Sequence, residues 1–257
     1  MTRMRSLCRV GCAVVVLLAW PLGGLAQEEE EGTEAEADTT LKGLSAEAFL
    51  QEIRRPFQQE AWGEATGTIQ FASDKQGERR GTVRLRMTFT PDSLHAQLVL
   101  NDANVYGFEQ KHGGQAPATT RVDLPERETP PGLFDFGIEP EDLTFAFIYW
   151  DFRRELPPED FLLRSCRVME LAHPQGKGCV RVWFSASHGY PLKAQWYRTD
   201  ATTAWRTLEL KGAKKHDKDL WFVKEMRLDG EGWKTRVRFD HAEINPVEDR
   251  ATPAPPK

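Results

Sequence analysis

The sequence predicts one mainly β domain in which an amphipathic helix precedes a series of antiparallel strands. Two observations carry this prediction. After Gly63, apolar residues alternate with polar ones in short runs, which is the period of a half-buried strand. Turn sequences such as His188-Gly189 and Asp229-Gly230 separate the later runs at intervals too short for crossover helices, so neighbouring strands should be antiparallel.

A helix is predicted at the start of this domain. Ser45 can cap its first turn, and Pro56 should end it near Arg55, because proline cannot continue a helix. Phe49 and Ile53 lie on one side of this segment, as an amphipathic helix requires. One such helix therefore opens the domain.

The strands are predicted from alternation along the rest of the chain. Residues 83–89 and 94–100 alternate on either side of the turn Pro91-Asp92-Ser93, which is typical of a hairpin. The second half alternates more regularly, in the runs 180–184, 192–196, 208–210, 220–228 and 233–239.

The middle of the chain combines two predicted helix starts with an aromatic run. Pro140-Glu141-Asp142 and Pro158-Glu159-Asp160 each place a proline in a first turn, with acids at the positive end of the helix dipole. Short helices are therefore predicted beside residues 145–150, FAFIYW. This run either fills the core or covers an apolar site, and core filling is the default for such a segment.

The first 26 residues have the three zones of a secretory signal peptide. A basic start precedes the apolar run Cys12–Trp20, and the small residues around Ala26 predict cleavage after it. A retained membrane anchor is the alternative, but the run is shorter than the roughly 20 apolar residues that span a bilayer. Cys8 and Cys12 lie at the start of the apolar run, so they should leave with the signal and the mature chain should carry no lipid.

Residues 27–40 are predicted to be an acidic disordered leader, residues 41–246 the domain, and residues 247–257 a proline-rich tail. The leader holds seven of the 39 acids, which leaves 32 acids against 31 basic residues from Leu41 onward, since three of the 34 basic residues belong to the signal. This near balance argues against a nucleic-acid partner, which requires a clustered basic surface.

Sequence motifs for catalysis are absent. The chain contains no G-x-S-x-G, G-x-x-x-x-G-K-[ST] or H-E-x-x-H sequence, and its six histidines are scattered without metal-ligand spacing. The adjacent acids after Pro140 and Pro158 are explained by the helix dipole rather than by acid and base roles. We therefore expect no catalytic residue, no metal and no cofactor.

Two cysteines, Cys166 and Cys179, remain after signal removal. An exported protein meets an oxidising compartment, so this pair is a disulfide candidate. Two free thiols are the alternative, because the turn Pro174-Gln175-Gly176 is not centred between the cysteines and a simple hairpin would not place them opposite each other.

Three phrases in the last third of the chain occur in a distinctive order and spacing. They are CRVMEL from Cys166, GYPLKAQWY from Gly189, and FVKEMRL from Phe222 followed by WKTRVRF and Ile244-Asn245. Together they resemble the carboxyl-terminal half of the LolA-like proteins, known as outer-membrane lipoprotein-sorting proteins. The first half of the chain is similar to that family in layout, with a signal, an opening helix and a meander.

The resemblance implies an antiparallel β-barrel that does not close, a half barrel of the LolA or LolB kind, with helices covering its apolar face. It also implies a periplasmic carrier that works without a cofactor and binds the acyl chains of lipoproteins or other lipids for sorting to the outer membrane. Its partners would be that lipid and an envelope acceptor protein, with only transient membrane contact. The lipid-binding residues would lie on the apolar sides of the strands, namely Leu85, Met87, Phe89, Leu98, Trp196, Phe222, Val237 and Phe239.

Two other classes of function remain open at this point. One is a non-catalytic binding or scaffold module of the cell envelope, whose barrel is filled by its own side chains. The other, the weakest of the three, is an enzyme. Cavity volume discriminates between the carrier and the scaffold module, because a carrier needs an apolar space of about 300 Å³ or more.

Overall fold

The computed structural model describes residues 41–55, 60–111, 120–215 and 221–247. The predicted signal peptide, the acidic leader and the tail after Val247 lie outside these described residues. The described chain folds into one sheet with two short α-helices.

Helix α1 spans Ala46–Arg54 and has the predicted cap. The Ser45 hydroxyl oxygen accepts a hydrogen bond from the backbone N–H of Ala48 at 3.2 Å. This satisfies one of the donors that a helix start leaves unpaired. Phe49, Leu50 and Ile53 are buried, so the predicted apolar side of the helix faces the core.

Twelve antiparallel strands form the sheet, in the spatial order β5-β4-β3-β2-β1-β12-β11-β10-β9-β8-β7-β6. The first strand pairs with the last, while β5 and β6 form the two edges and do not pair with each other within the described residues. The predicted antiparallel, unclosed β fold is therefore confirmed. The strands are β1 Ala61–Ser73, β2 Gly77–Phe89, β3 Ser93–Leu100, β4 Asn104–Lys111, β5 Thr120–Asp123, β6 Asp151–Phe161, β7 Arg164–Ala172, β8 Cys179–Ser185, β9 Pro191–Tyr197, β10 Arg206–Lys215, β11 Trp221–Gly230 and β12 Trp233–Pro246.

Alternation along the strands decides which face of the sheet is covered. Leu85, Met87 and Phe89 of β2 are buried, whereas Arg86 and Thr88 between them are exposed. The buried side, here called the inner face, packs against α1 and the segment between β5 and β6 in one hydrophobic core. The predicted hairpin is also confirmed, since Phe89 pairs with Leu94 and Val83 with Leu100.

The second short helix forms where Pro140 predicts it. Helix α2 spans Pro140–Thr144, and a reciprocal capping box joins Glu139 and Asp142 at its start. It ends at Phe145, which has a positive φ of 52°, and a 3-10 turn follows at Ala146–Tyr149. The aromatic run is thus folded over the inner face, with Phe147 and Trp150 buried.

The predicted helix at Pro158 is wrong, because β6 runs through it. This strand lies at the edge of the sheet, where the missing N–H of a proline breaks no ladder on the open side. The pairing with β7 also shifts between Leu156 and Glu159, which leaves Pro157 and Pro158 out of register with a partner. Proline with acids therefore marks a protected sheet edge here rather than a helix start.

The predicted disulfide between Cys166 and Cys179 is also wrong, since both thiols are free. In the β7–β8 ladder, Cys166 pairs with Ser185 and Cys179 pairs with Ala172. The two cysteines lie at opposite ends of this ladder, about 20 Å apart at the rise of an extended strand. No disulfide can bridge that distance.

Candidate functional site

A cavity of about 300 Å³ lies between the inner face of the sheet and the helical segments. Its volume is at the lower limit for sites that bind small molecules. The wall is mainly apolar and comes from both halves of the sheet and from α1 and α2. Its principal apolar residues are Ile53, Leu85, Met87, Phe89, Leu94, Leu143, Phe145, Ile148, Phe184, Leu210, Phe222, Met226, Phe239 and Ile244.

The cavity lies toward one end of the sheet. Phe89 is the last residue of β2, and Leu94 and Phe222 are the second residues of β3 and β11. These strand ends lie on the same side because the ladders are antiparallel. Gly189, in the β8–β9 turn at this end, has a φ of 75°, and a Cβ there would lie 2.6 Å from Ile53 Cγ2. The turn therefore allows α1 to approach the sheet closely.

The opposite end of the inner face is filled by the protein's own side chains. Tyr106 and Phe136 are fully buried there, and the Tyr106 hydroxyl accepts a hydrogen bond from the backbone N–H of Leu133 at 2.8 Å. At the same end, Phe71 stacks on Trp233 with ring centroids 6.2 Å apart. The inner face is thus packed at one end and hollow at the other.

A buried ion pair ties α2 to the sheet. Arg206 of β10 donates from Nη1 to Asp142 Oδ1 at 2.7 Å, and the two side chains are only 3% and 0% exposed. Burial would lower the pKa of Arg206, but the adjacent Asp142 carboxylate outweighs it and raises the pKa. Burial raises the pKa of Glu141, and the neighbouring Asp142 carboxylate adds to this effect.

Five of the eight residues predicted to bind lipid line the cavity: Leu85, Met87, Phe89, Phe222 and Phe239. The other three are buried elsewhere in the core. Leu98 pairs with Tyr106 and Val237 pairs with Ile69, both in the packed part of the inner face. Trp196 lies against the Phe147 ring, at a centroid distance of 5.3 Å.

The strand pattern did not identify the wall residues that come from the helical segments. Ile53 lies on the predicted helix, while Phe145 and Ile148 belong to the aromatic run. Phe145 and Ile148 are indicated only by the alternative interpretation of the aromatic run, as a cover over an apolar site. Leu94 and Met226 were part of the alternating pattern, but alternation does not distinguish a cavity wall from a filled core.

Arg54 holds the two covering segments together. Its Nε donates to the backbone oxygen of Ile148 at 2.8 Å, and its Nη2 donates to that of Trp150 at 3.0 Å. Burial lowers the pKa of Arg54, while the nearby Tyr149 and Asp151 oppose this change. These hydrogen bonds thus join α1 to the segment after α2 beside the cavity.

The polar lining of the cavity is small. Arg55 and Glu52 form an ion pair of 3.0 Å at the end of α1. On the β8–β9 turn, the Ser187 hydroxyl and His188 Nδ1 are hydrogen-bonded at 2.9 Å. Among the described residues, no group of three His, Cys, Asp or Glu side chains is placed to hold a metal ion. Neither helix in the described part of the chain is long and apolar enough to cross a membrane.

The sequence matches no protein-family model and no curated relative. The structure, however, is similar to solved structures. One is described as an outer-membrane lipoprotein-sorting protein domain from Vibrio parahaemolyticus, with a TM-score of 0.57 and 15% identity over 77% of this chain and 91% of that one. Another is a LolA superfamily protein from Nitrosomonas europaea, with a TM-score of 0.53 and 12% identity over 80% of this chain and 96% of that one. The chain has the LolA-like fold.

A third structure has a related architecture. It is a DUF1329 family protein from Desulfovibrio piger, with a TM-score of 0.62 and 12% identity over 77% of this chain and 91% of that one. The coverage shows that the LolA-like fold extends over most of the chain, including the first half, where the sequence resembles the family in layout alone. The resemblance predicted from sequence is confirmed at the level of the fold.

Proposed function

We propose that this protein is a periplasmic carrier that binds acyl chains of lipoproteins or other lipids for sorting to the outer membrane. The observation that carries the proposal is the apolar cavity of about 300 Å³ on a LolA-like half barrel. An acyl chain is bound by burial, at roughly 0.8 kcal/mol per methylene. Such a site needs few polar groups, in keeping with a wall built from Leu, Met, Phe and Ile.

The way in which the helical segments cover the cavity also supports a carrier. The segments that cover the cavity are joined by hydrogen bonds from Arg54 to two backbone oxygens. A cover of this kind can open and close without breaking a covalent bond. A carrier requires such reversibility, because it must take up its ligand and release it to an acceptor protein of the envelope.

Export is part of the proposal. It rests on the predicted signal peptide, with cleavage after Ala26, and on the description of one similar structure as a lipoprotein-sorting domain. Amino-terminal sequencing of the mature protein tests this part. A mature chain that begins at Met1 would contradict export, and an acylated cysteine would contradict a soluble carrier.

Ligand binding tests the central claim. The folded protein is titrated with a fluorescent fatty acid, and the bound probe is then displaced with a diacylated lipopeptide or with the same peptide lacking its acyl chains. A carrier should show saturable binding and displacement by the acylated peptide alone. Absence of binding by folded protein would overturn the proposal.

A matched pair of variants locates the binding site. Met87→Trp adds bulk inside the cavity, whereas Thr88→Trp adds the same ring on the exposed face of the same strand. Filling the space of about two methylenes should weaken acyl binding on the order of tenfold. The Thr88 variant should bind like the unmodified protein, and equal effects of the two variants would place the ligand elsewhere.

A scaffold module is the second candidate function, and the packed end of the inner face favours it. Tyr106, Phe136 and Trp233 fill that end as they would in a protein without a ligand. This candidate predicts that the protein binds neither fatty acid nor acylated peptide.

A further inference from the structure

The Gln110 side chain of β4 is fully buried, and both its amide atoms lack a hydrogen-bond partner among the described residues. The other buried polar side chains in this part of the fold are satisfied. Asn104, on the same face of β4, donates to the backbone oxygen of Thr129 at 2.6 Å and accepts from its N–H at 2.7 Å. A buried amide without a partner is destabilising, and such groups are rare in native proteins.

Gln110 lies on the inner face, immediately beside the cavity wall. Across the β3–β4 ladder it pairs with Leu94, which lines the cavity and pairs in turn with the wall residue Phe89. On its other side it pairs with Thr120, whose hydroxyl is hydrogen-bonded at 3.0 Å to the hydroxyl of Thr144. Thr144 also lines the cavity. The amide therefore lies between two parts of the wall.

The short helix α2 packs against β4 and β5, the strands that carry Gln110 and Thr120. Thr144 is the last residue of α2, and Phe145 after it adopts a left-handed conformation with a φ of 52°. A ligand that displaces the end of this helix would extend the cavity toward β4. The amide would then be the first unsatisfied polar group that it meets.

We infer that Gln110 binds a hydroxyl group carried on the acyl chain of the ligand, so that the cavity prefers hydroxylated acyl chains to plain ones. This inference rests on the proposed function. The Gln110 amide offers both donors and an acceptor, and a hydroxyl is a small group that can accept from one and donate to the other.

Other polar groups fit this position less well. An ester offers only acceptors, so it would leave the Gln110 oxygen unpaired. A trans amide presents its N–H and its carbonyl in opposite directions, so a single side chain cannot engage both. A carboxylate would be buried beside an uncharged amide without a countercharge, which is strongly unfavourable.

The test compares stearate with a series of hydroxystearates that carry the hydroxyl at different carbons. Each competes with a bound fluorescent fatty acid on the intact mature protein. At least one hydroxystearate should bind roughly tenfold more tightly than stearate, the effect expected from one or two net hydrogen bonds. Gln110→Leu should abolish that preference and leave stearate affinity unchanged. The matched control is Gln97→Leu, an exposed glutamine on the opposite face of β3, which should keep the preference.

The outcomes separate this inference from the proposed function. If stearate binds but no hydroxystearate is preferred, or if Gln110→Leu keeps the preference, the inference is wrong and the carrier function stands. If no acyl ligand binds, both fail. A melting temperature for each variant establishes that it folds. If Gln110→Leu does not fold, the preference for hydroxystearate is compared between Gln110→Met and the unmodified protein.

Discussion

Arg54, the last residue of α1, donates a hydrogen bond to the backbone oxygen of Ile148 in the segment that follows α2. Both segments line the cavity, through Ile53 and through Ile148 itself. The Arg54 side chain thus links the two covers of the proposed acyl site, and the Tyr149 hydroxyl adds a hydrogen bond of 3.3 Å to the Arg54 backbone oxygen. Its removal should loosen the cover without altering the sheet.

Arg54→Met should therefore speed the opening of the cover. Loss of two hydrogen bonds from a half-buried guanidinium should raise amide hydrogen exchange in residues 146–150 by about tenfold or more. A prebound fluorescent fatty acid should also dissociate faster in stopped-flow displacement. Arg55→Met is the matched control, since the Arg55 side chain is 69% exposed and contacts Glu52 within the same helix. Equal exchange in the two variants would contradict the role of the Arg54 hydrogen bonds in holding the two segments together.

The buried pair of Asp142 and Arg206 should be essential for stability. Arg206→Met leaves the fully buried Asp142 carboxylate without its partner, which should cost about 3–5 kcal/mol of unfolding free energy in urea denaturation. The double variant with Asp142→Asn should lose less than the sum of the single losses, because it leaves no unpaired charge. Arg84→Met, which breaks the exposed pair with Asp102, should cost at most about 1 kcal/mol. Additive losses at the buried pair would contradict this coupling.

Substitutions in the β6–β7 turn should stabilise the protein. Leu162 and Leu163 have φ values of 50° and 61°, the conformation that Asn-Gly favours in a two-residue hairpin turn. Leu163 is also fully exposed, so its side chain contributes no packing. Leu162→Asn with Leu163→Gly should raise the unfolding free energy by about 1–2 kcal/mol. A lower melting temperature of the double variant would show that these leucines make contacts that stabilise the fold.

Glu141 should give α2 a measurable pH dependence. Its pKa is raised by burial, so the folded protein holds the Glu141 proton more tightly than the unfolded chain, where the pKa is about 4.3. The stability that Glu141 contributes is therefore fully present below a pH of about 4.3, and it is lost as the pH rises through the pKa of Glu141 in the folded protein. Glu141→Gln should raise the melting temperature at neutral pH and lose that gain in acid. Glu47→Gln, in the exposed first turn of α1, is the control, and a gain of Glu141→Gln that persists in acid would contradict the mechanism.

Much of the fold could be predicted because local chemistry and tertiary structure agree. The cap at Ser45 and the proline at Pro140 start helices in the structure as they do in the sequence pattern. Strand alternation predicted the buried side of β2 residue by residue. Pro158 was misread because a proline followed by acids suits both a helix start and a protected sheet edge, and only the position of β6 at the edge distinguishes them.

The candidate site could be predicted only in part. Met87 and Val237 both lie on the inner face, yet Met87 lines the cavity and Val237 is packed against core side chains. The wall that Met87 shares includes Ile53 and Ile148, which belong to segments distant from β2 in the chain. No local pattern carries that information.

The sequence by itself determined the strands of the hairpin over residues 83–100 and those of the second half from residue 180, the apolar face of each of these strands, and where α1 and α2 begin. These properties follow from side-chain periodicity and capping, which act over a few neighbouring residues. Only the tertiary structure decided that Cys166 and Cys179 lie at opposite ends of one ladder, and that the inner face is filled at one end and hollow at the other. Strand register sets the first result and the packing of the helical segments on the inner face sets the second, and this packing joins segments far apart in the chain.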